Sequence, residues 1–292
     1  VAVTVCASTT GIILPPSHNA IIYAVAAGGT VSIGAMFLAG YVPGRLIGIG
    51  MMVVSYFLAL SRGYEKEPSK TFAESWAALK NGFLSLMAAV IIVGGIISGV
   101  FTATESGAIA CLYALILTVF HYKELKLSQL PDILKKVAIT CGMVFFLVAT
   151  SSAFGWIMAY EHIPQNIAAG ISAVTKNPIY VLMIINVFIL IVGFFMDLAA
   201  SILILTPLFL PIAMSIGMDP VHVGIMLLLN LSIGLVHPPV GTVLFVGCAI
   251  EKCSLESTVK AVLLFITVLI VVLLLVAYVP AVTMTLPKMF MP

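Results

Sequence analysis

Two pairs of adjacent prolines stand inside apolar stretches of this chain, each preceded by a glycine at the same distance. Gly11-Ile-Ile-Leu-Pro-Pro-Ser17 and Gly234-Leu-Val-His-Pro-Pro-Val240 both read G-x-x-x-P-P. Proline has no backbone N–H and its ring clashes with the preceding turn, so neither run can continue as one regular helix. The surroundings are strongly apolar, because the chain is 62% hydrophobic and only 8% charged. A soluble domain has about 25% charged residues. Unwound backbone at membrane depth is tolerated only where it is buried in protein or lines a wet cavity. The apolar runs do not alternate with a period of two, which argues against a membrane β-barrel. The expected fold is therefore all-α, a polytopic membrane protein with broken helices.

The formal net charge is only +2, which gives no global attraction to nucleic acid. The five cysteines are scattered in or beside apolar segments, without metal-ligand spacing, and are read as packing residues. The chain opens at Val1 inside an apolar stretch, with no basic leader region or cleavage site. It is expected to be the C-terminal part of a longer protein.

Broken helix, short connection and long helix occur twice in the same order. Gly11 is followed 21 residues later by Ser32 and Gly234 is followed 20 residues later by Ser254, each opening a long apolar helix. This is internal symmetry of the kind transporters show. Residues 1–60 are expected to end a first inverted repeat and 61–81 to form a cytoplasmic linker. Residues 82–292 would make a second repeat, with a broken helix at 219–251 and a final helix at 255–279. The segments 178–193 and 202–216 are short apolar arms around the lone acid Asp197. A comfortable crossing needs about 20 residues, so 178–216 reads as a re-entrant hairpin.

Charge orients these elements. Arg62, Lys66, Lys70 and Lys80 share one loop, and Lys123, Lys126, Lys135 and Lys136 share the next long one. Both belong on the cytoplasmic side by the positive-inside rule. Counting spans from them makes the two broken helices antiparallel, without use of the motif similarity.

A helix break frees carbonyls on one half and amides on the other. Freed carbonyls suit a hard cation such as Na⁺, and the N-terminus of the second half-helix favours an anion. Hydroxyls lie close to both breaks: Ser8, Thr9, Thr10 and Ser17 at the first, Ser232 and Thr242 at the second. Asp197 and Ser201 add a carboxylate and a hydroxyl from the hairpin. An intramembrane acid is a functional-site candidate by default. His237 reads equally as a structural hydrogen-bonder and as a titrating group near the site. Glu105 reads equally as an interface residue and as an internal one, and Arg45 as a residue that snorkels or contacts anionic lipid or a partner helix, with substrate binding the minority reading. There are no paired catalytic acids, no Ser/His or Cys/His constellation and no phosphate-cradling loop, so no catalytic residues or cofactors are expected.

Several segments together resemble the large membrane subunit, of the DctM type, of tripartite ATP-independent periplasmic (TRAP) transporters. They are GIILPPS, GVFTATESGAIACLYAL, GFFMDLAASILILTPLFLPIA, GMDPVHVGIMLLLNLSIGLVHPPVG and YVPAVTMTLP. The resemblance implies a Na⁺-coupled symporter of the ion transporter superfamily, working by an elevator mechanism in the bacterial inner membrane. It implies as partners a small membrane subunit of the DctQ type and a periplasmic binding protein of the DctP type. The cargo would be an organic acid anion such as a C4-dicarboxylate or a sialic acid. By motif, the hairpin tip (Gly193, Asp197, Ser201) and the second break (Gly234, Val236, Pro238, Val240, Gly241, Thr242) would form one Na⁺ site. Gly11, Pro15 and Ser17 would contribute to another. Ser8, Thr9, Thr10, Ser17, Ser201 and His237 would face the substrate. The chain departs from the family pattern in two ways. It starts after the place of a first hairpin, and it carries His237 where threonine is usual. The alternatives are a stand-alone Na⁺/anion symporter, a channel or a membrane-embedded enzyme.

Overall fold

The computed structural model describes residues 1–63, 71–238 and 241–291. Val240, Pro239, Lys66 and Lys70 lie outside the described residues. In chain order the helices are α1 (Ala2–Ile13), α2 (His18–Ala26), α3 (Ile33–Arg62), α4 (Phe72–Ile97) and α5 (Ala103–Ile116). Then come α6 (Leu130–Tyr160), α7 (Ile163–Val174), α8 (Pro178–Gly193) and α9 (Leu198–Ser215). The last are α10 (Pro220–Val236), α11 (Thr242–Glu251), α12 (Leu255–Tyr278) and α13 (Ala281–Phe290). No strand occurs among the described residues. Five helices are long and apolar enough to cross a membrane, and α4, bent by 56°, makes a sixth among the described residues. This is an all-α, multi-pass membrane protein.

The chain divides into two compact units, residues 59–146 and the remainder. In the smaller unit α4 packs on α5. Both start with a capping box: the Glu74 carboxylate accepts from Thr71 N, and the Glu105 carboxylate accepts from Thr102 N, each at 2.8 Å. Glu105 also accepts from Thr102 Oγ1 at 2.9 Å. This gives Glu105 a local role as a helix-start residue.

The larger unit is built around α10. Every residue of α10 from His222 to Gly234 is buried. Around it pack α1, α2, α8, α9 and α12. Two long-range bonds fix its N-terminal end: Tyr23 Oη donates to Pro220 O at 2.7 Å, and His222 Nε2 donates to Val276 O at 2.6 Å. The carbonyl can only accept, so Nε2 of His222 carries the proton.

Both proline pairs end helices, a few residues later than the glycine that opens each motif. α1 runs through Gly11 to Ile13, and α10 runs through Gly234 to Val236. The reason is that a proline removes the bond to the carbonyl four residues earlier, leaving the turn before it intact. Leu14 N still bonds Thr10 O at 2.8 Å. Ser17 Oγ donates to Ile12 O, which Pro16 cannot reach. Ser17 also accepts from Ala20 N at 3.4 Å, so it closes α1 and caps α2 together.

The two broken helices run antiparallel. Tyr23 near the end of α2 meets Pro220 and Gly224 near the start of α10. At the other end, Val5 of α1 lies against Gly247 of α11. The breaks therefore fall between these contacts, in the middle of the pair. α3 passes the first break closely: a β-carbon on Gly40 would overlap the Ile13 carbonyl oxygen.

Candidate functional site

The hairpin tip is made by the sequence Gly193-Phe-Phe-Met-Asp197. α8 stops at Gly193, and α9 starts at Leu198 with Asp197 as its N-cap. The Asp197 Oδ2 accepts from Ala199 N at 3.0 Å. Its other carboxylate oxygen has no protein partner among the described residues, and the side chain is exposed.

α8 runs parallel to α10 and brings this tip to the second break. A β-carbon on Gly234 would overlap the Gly193 carbonyl oxygen, so only glycine permits the two backbones to touch there. One residue further along α8, the Phe194 ring stacks on His237, with centroids 4.2 Å apart and planes 16° from parallel. His237 Nδ1 donates to the carbonyl oxygen of Pro238. The structure thus joins Gly193, Gly234 and His237 in one contact region.

Backbone carbonyls gather on the far side of the break. A β-carbon on Gly241 would lie 2.8 Å from Leu235 O and 3.0 Å from His237 O. Val236, buried, ends α10 and Pro238 follows it in a turn. Thr242, exposed, opens α11, whose start has no side-chain cap. The starts of α2 and α9, by contrast, are capped by Ser17 and Asp197.

Four buried side-chain oxygens have no hydrogen-bond partner among the described residues; one is Ser106 Oγ on α5, and three lie in the larger unit. Those three are Asn19 Oδ1 on α2, Ser201 Oγ on α9 and Asn230 Oδ1 on α10. Ser201 and Asn230 are both 0% exposed. These three helices pack against one another. A buried polar atom without a partner normally marks an ordered water or ion. Sequence reasoning missed Asn19 and Asn230; a polar amide inside an otherwise apolar helix was the available signal.

The first break holds the remaining candidates. Pro15 and Ser17 lie in it, whereas Gly11 lies in the last turn of α1. Ser8 Oγ and Thr9 Oγ1 donate to carbonyls of their own helix, Val5 O and Cys6 O, each at 2.7 Å. Thr10 instead lines a cleft of about 510 Å³ between α1 and α3, with Val3, Ala7 and Met51. Ser8 borders a second cleft of about 210 Å³ between α1 and α11. Arg45 on α3 sits 5.9 Å over the Tyr41 ring. Among the described residues no group of three His, Cys, Asp or Glu side chains is arranged to hold a metal.

Residues 1–282 match the family model of the tripartite ATP-independent periplasmic transporter, DctM component. The chain belongs to this family. It is 42% identical over 291 residues to the protein YgiK of Salmonella typhimurium, covering all of this chain and 66% of that protein. It is 40% identical over 282 residues to the C4-dicarboxylate TRAP transporter large permease DctM of Pseudomonas aeruginosa, covering 97% of this chain and 66% of that protein. It is 41% identical over 281 residues to the sialic acid TRAP transporter large permease SiaM of Vibrio cholerae, covering 96% and 65%. The chain thus spans about two thirds of the length of these DctM-family relatives. The DctM and SiaM names describe permeases rather than enzymes.

Proposed function

We propose that this DctM-family chain carries part of the ion and substrate site of a Na⁺-coupled importer for an organic acid anion in the bacterial inner membrane. The cargo would be a C4-dicarboxylate, a sialic acid or a similar carboxylate. A periplasmic binding protein would deliver it, and a small DctQ-type subunit would accompany the large one. The observation that carries this reading is the meeting of hairpin tip and second break, through Gly193–Gly234 and Phe194–His237.

Na⁺ is a hard cation and prefers oxygen ligands. The hairpin and the break offer a second Asp197 oxygen and Ser201 Oγ, both without a partner among the described residues, and the carbonyls of Leu235 and His237 beside Gly241, the latter also accepting from Gly241 N at 3.0 Å. The anion has a different place to go. Asp197 sets a negative charge at the start of α9, which disfavours a second anion there. The start of α11 has no side-chain cap among the described residues, and its amides suit a carboxylate.

The test uses the full-length protein with its small subunit in proteoliposomes. Uptake of labelled C4-dicarboxylate and sialic acid is followed with and without a Na⁺ gradient and binding protein. Uptake that requires both supports the reading. Uptake with Na⁺ alone converts it to a stand-alone symporter, and uptake independent of Na⁺ overturns the coupling.

A further inference from the structure

One polar pair lies in the α8–α10 interface, away from the contact of hairpin tip and break, and its Asn230 Oδ1 is one of the buried oxygens without a partner among the described residues. Asn230 Nδ2 donates to both the backbone oxygen and the side-chain Oδ1 of Asn186, each at 2.8 Å. Asn186 Nδ2 donates in turn to Leu182 O at 2.9 Å and to Met226 Sδ at 3.4 Å. Asn186 is 8% exposed and Asn230 is fully buried. Both amide orientations follow from the chemistry, since each nitrogen faces only acceptors.

We propose that Asn186 and Asn230 form a register key that holds the hairpin tip opposite the second break. The inference rests on the ion-site reading above. The other buried side chains of the packed helices α8 and α10 are mostly apolar, Val181, Ile185, Ile189, Leu227 and Leu231 among them. Parallel helices with such faces can slide by a turn, about 5.4 Å, and still bury similar surface. The two bonds from Asn230 Nδ2 to Asn186 are made in one register only. Asn186 lies seven residues before Gly193 and Asn230 lies four before Gly234, so neither touches the tip or the break. They act as positioning residues, through the helix axes.

The test compares Asn186→Leu, Asn230→Leu and the double variant in the full-length protein. Thermal stability, the Na⁺ concentration for half-maximal uptake and the distance between spin labels at Phe195 and Val246 are measured. Asn186→Leu takes one of two acceptors from Asn230 Nδ2, Asn230→Leu leaves Asn186 Oδ1 without its donor, and each single variant is less stable. The double variant removes both polar groups and regains most of the stability. Its half-saturating Na⁺ nevertheless stays raised, about fivefold, because nothing fixes the register. Its label distance broadens or shifts by up to about one turn. A double variant with wild-type Na⁺ dependence and an unchanged distance distribution overturns the key. Wild-type uptake that ignores Na⁺ overturns the ion-site reading instead, while the label distance still decides the register.

Discussion

Gly193 and Gly234 touch backbone to backbone, where the end of one hairpin arm crosses the end of the broken helix α10. A β-carbon at 234 has only the Gly193 carbonyl group to displace, and backbone cannot swing away as a flexible side chain can. Gly234→Ala should therefore cost about 1–3 kcal/mol, as overpacking does. The check is the melting temperature of purified Gly234→Ala beside Gly11→Ala. The latter position is open, with nothing near a β-carbon, and should be close to neutral.

Asp197 serves α9 as a cap and, in the proposed site, serves the cation as a charge. The two roles separate by substitution. Asparagine caps about as well as aspartate but carries no charge, whereas alanine does neither and costs about 1 kcal/mol. Asp197→Asn should keep insertion and stability yet lose Na⁺-dependent uptake. Asp197→Ala should lose uptake and also melt earlier. Normal uptake by Asp197→Asn would remove the carboxylate from the ion site.

The antiparallel sense of the two broken helices has a chemical test. A β-carbon on Gly247 would lie 2.5 Å from Val5 Cγ2, which sets the two β-carbons near disulfide range. A disulfide needs about 3.5–4.5 Å between β-carbons. With the native cysteines replaced, Val5→Cys/Gly247→Cys should cross-link under mild oxidation. Val5→Cys/Val236→Cys should not, because Val236 belongs to the far side of the break. Mass spectrometry of the proteolysed protein reads the result.

Tyr23→Phe should destabilise by about 1 kcal/mol, the net value of one buried hydrogen bond. The phenol is fully buried and its hydroxyl donates to Pro220 O. Loss of that bond frees α2 from the start of α10, so hydrogen exchange at Val25 and Ala26 should accelerate in this variant.

The all-α fold was legible because apolar composition and helix-breaking prolines are local signals. The breaks were legible for the same reason, although each motif glycine proved helical. The hydrogen bond that a proline removes belongs to the turn before it, so Pro15 and Pro238 set the helix ends. The start of α4 falls inside the 61–81 linker, and Thr71-Phe-Ala-Glu74, a capping box, was the local signal for it. Residues 161–176 look mixed in composition, yet Ile163–Val174 is a helix, because periodic apolar residues outweigh the scattered polar ones. The Asn186–Asn230 pair was not legible. A single amide in an apolar run reveals that it needs a partner, but the partner lies 44 residues away and is chosen by packing.

α10 has no outward face between His222 and Gly234. Lipid thickness and composition therefore have no direct handle on the helix that ends at the second break. Neighbouring helices do carry outward apolar side chains, such as Phe188 and Ile191 on α8 and Leu274 on α12. Any influence of the bilayer on the break must be relayed through them. The break is mechanically insulated, and a change of membrane should alter how fast the surrounding helices rearrange more than how the break itself is shaped.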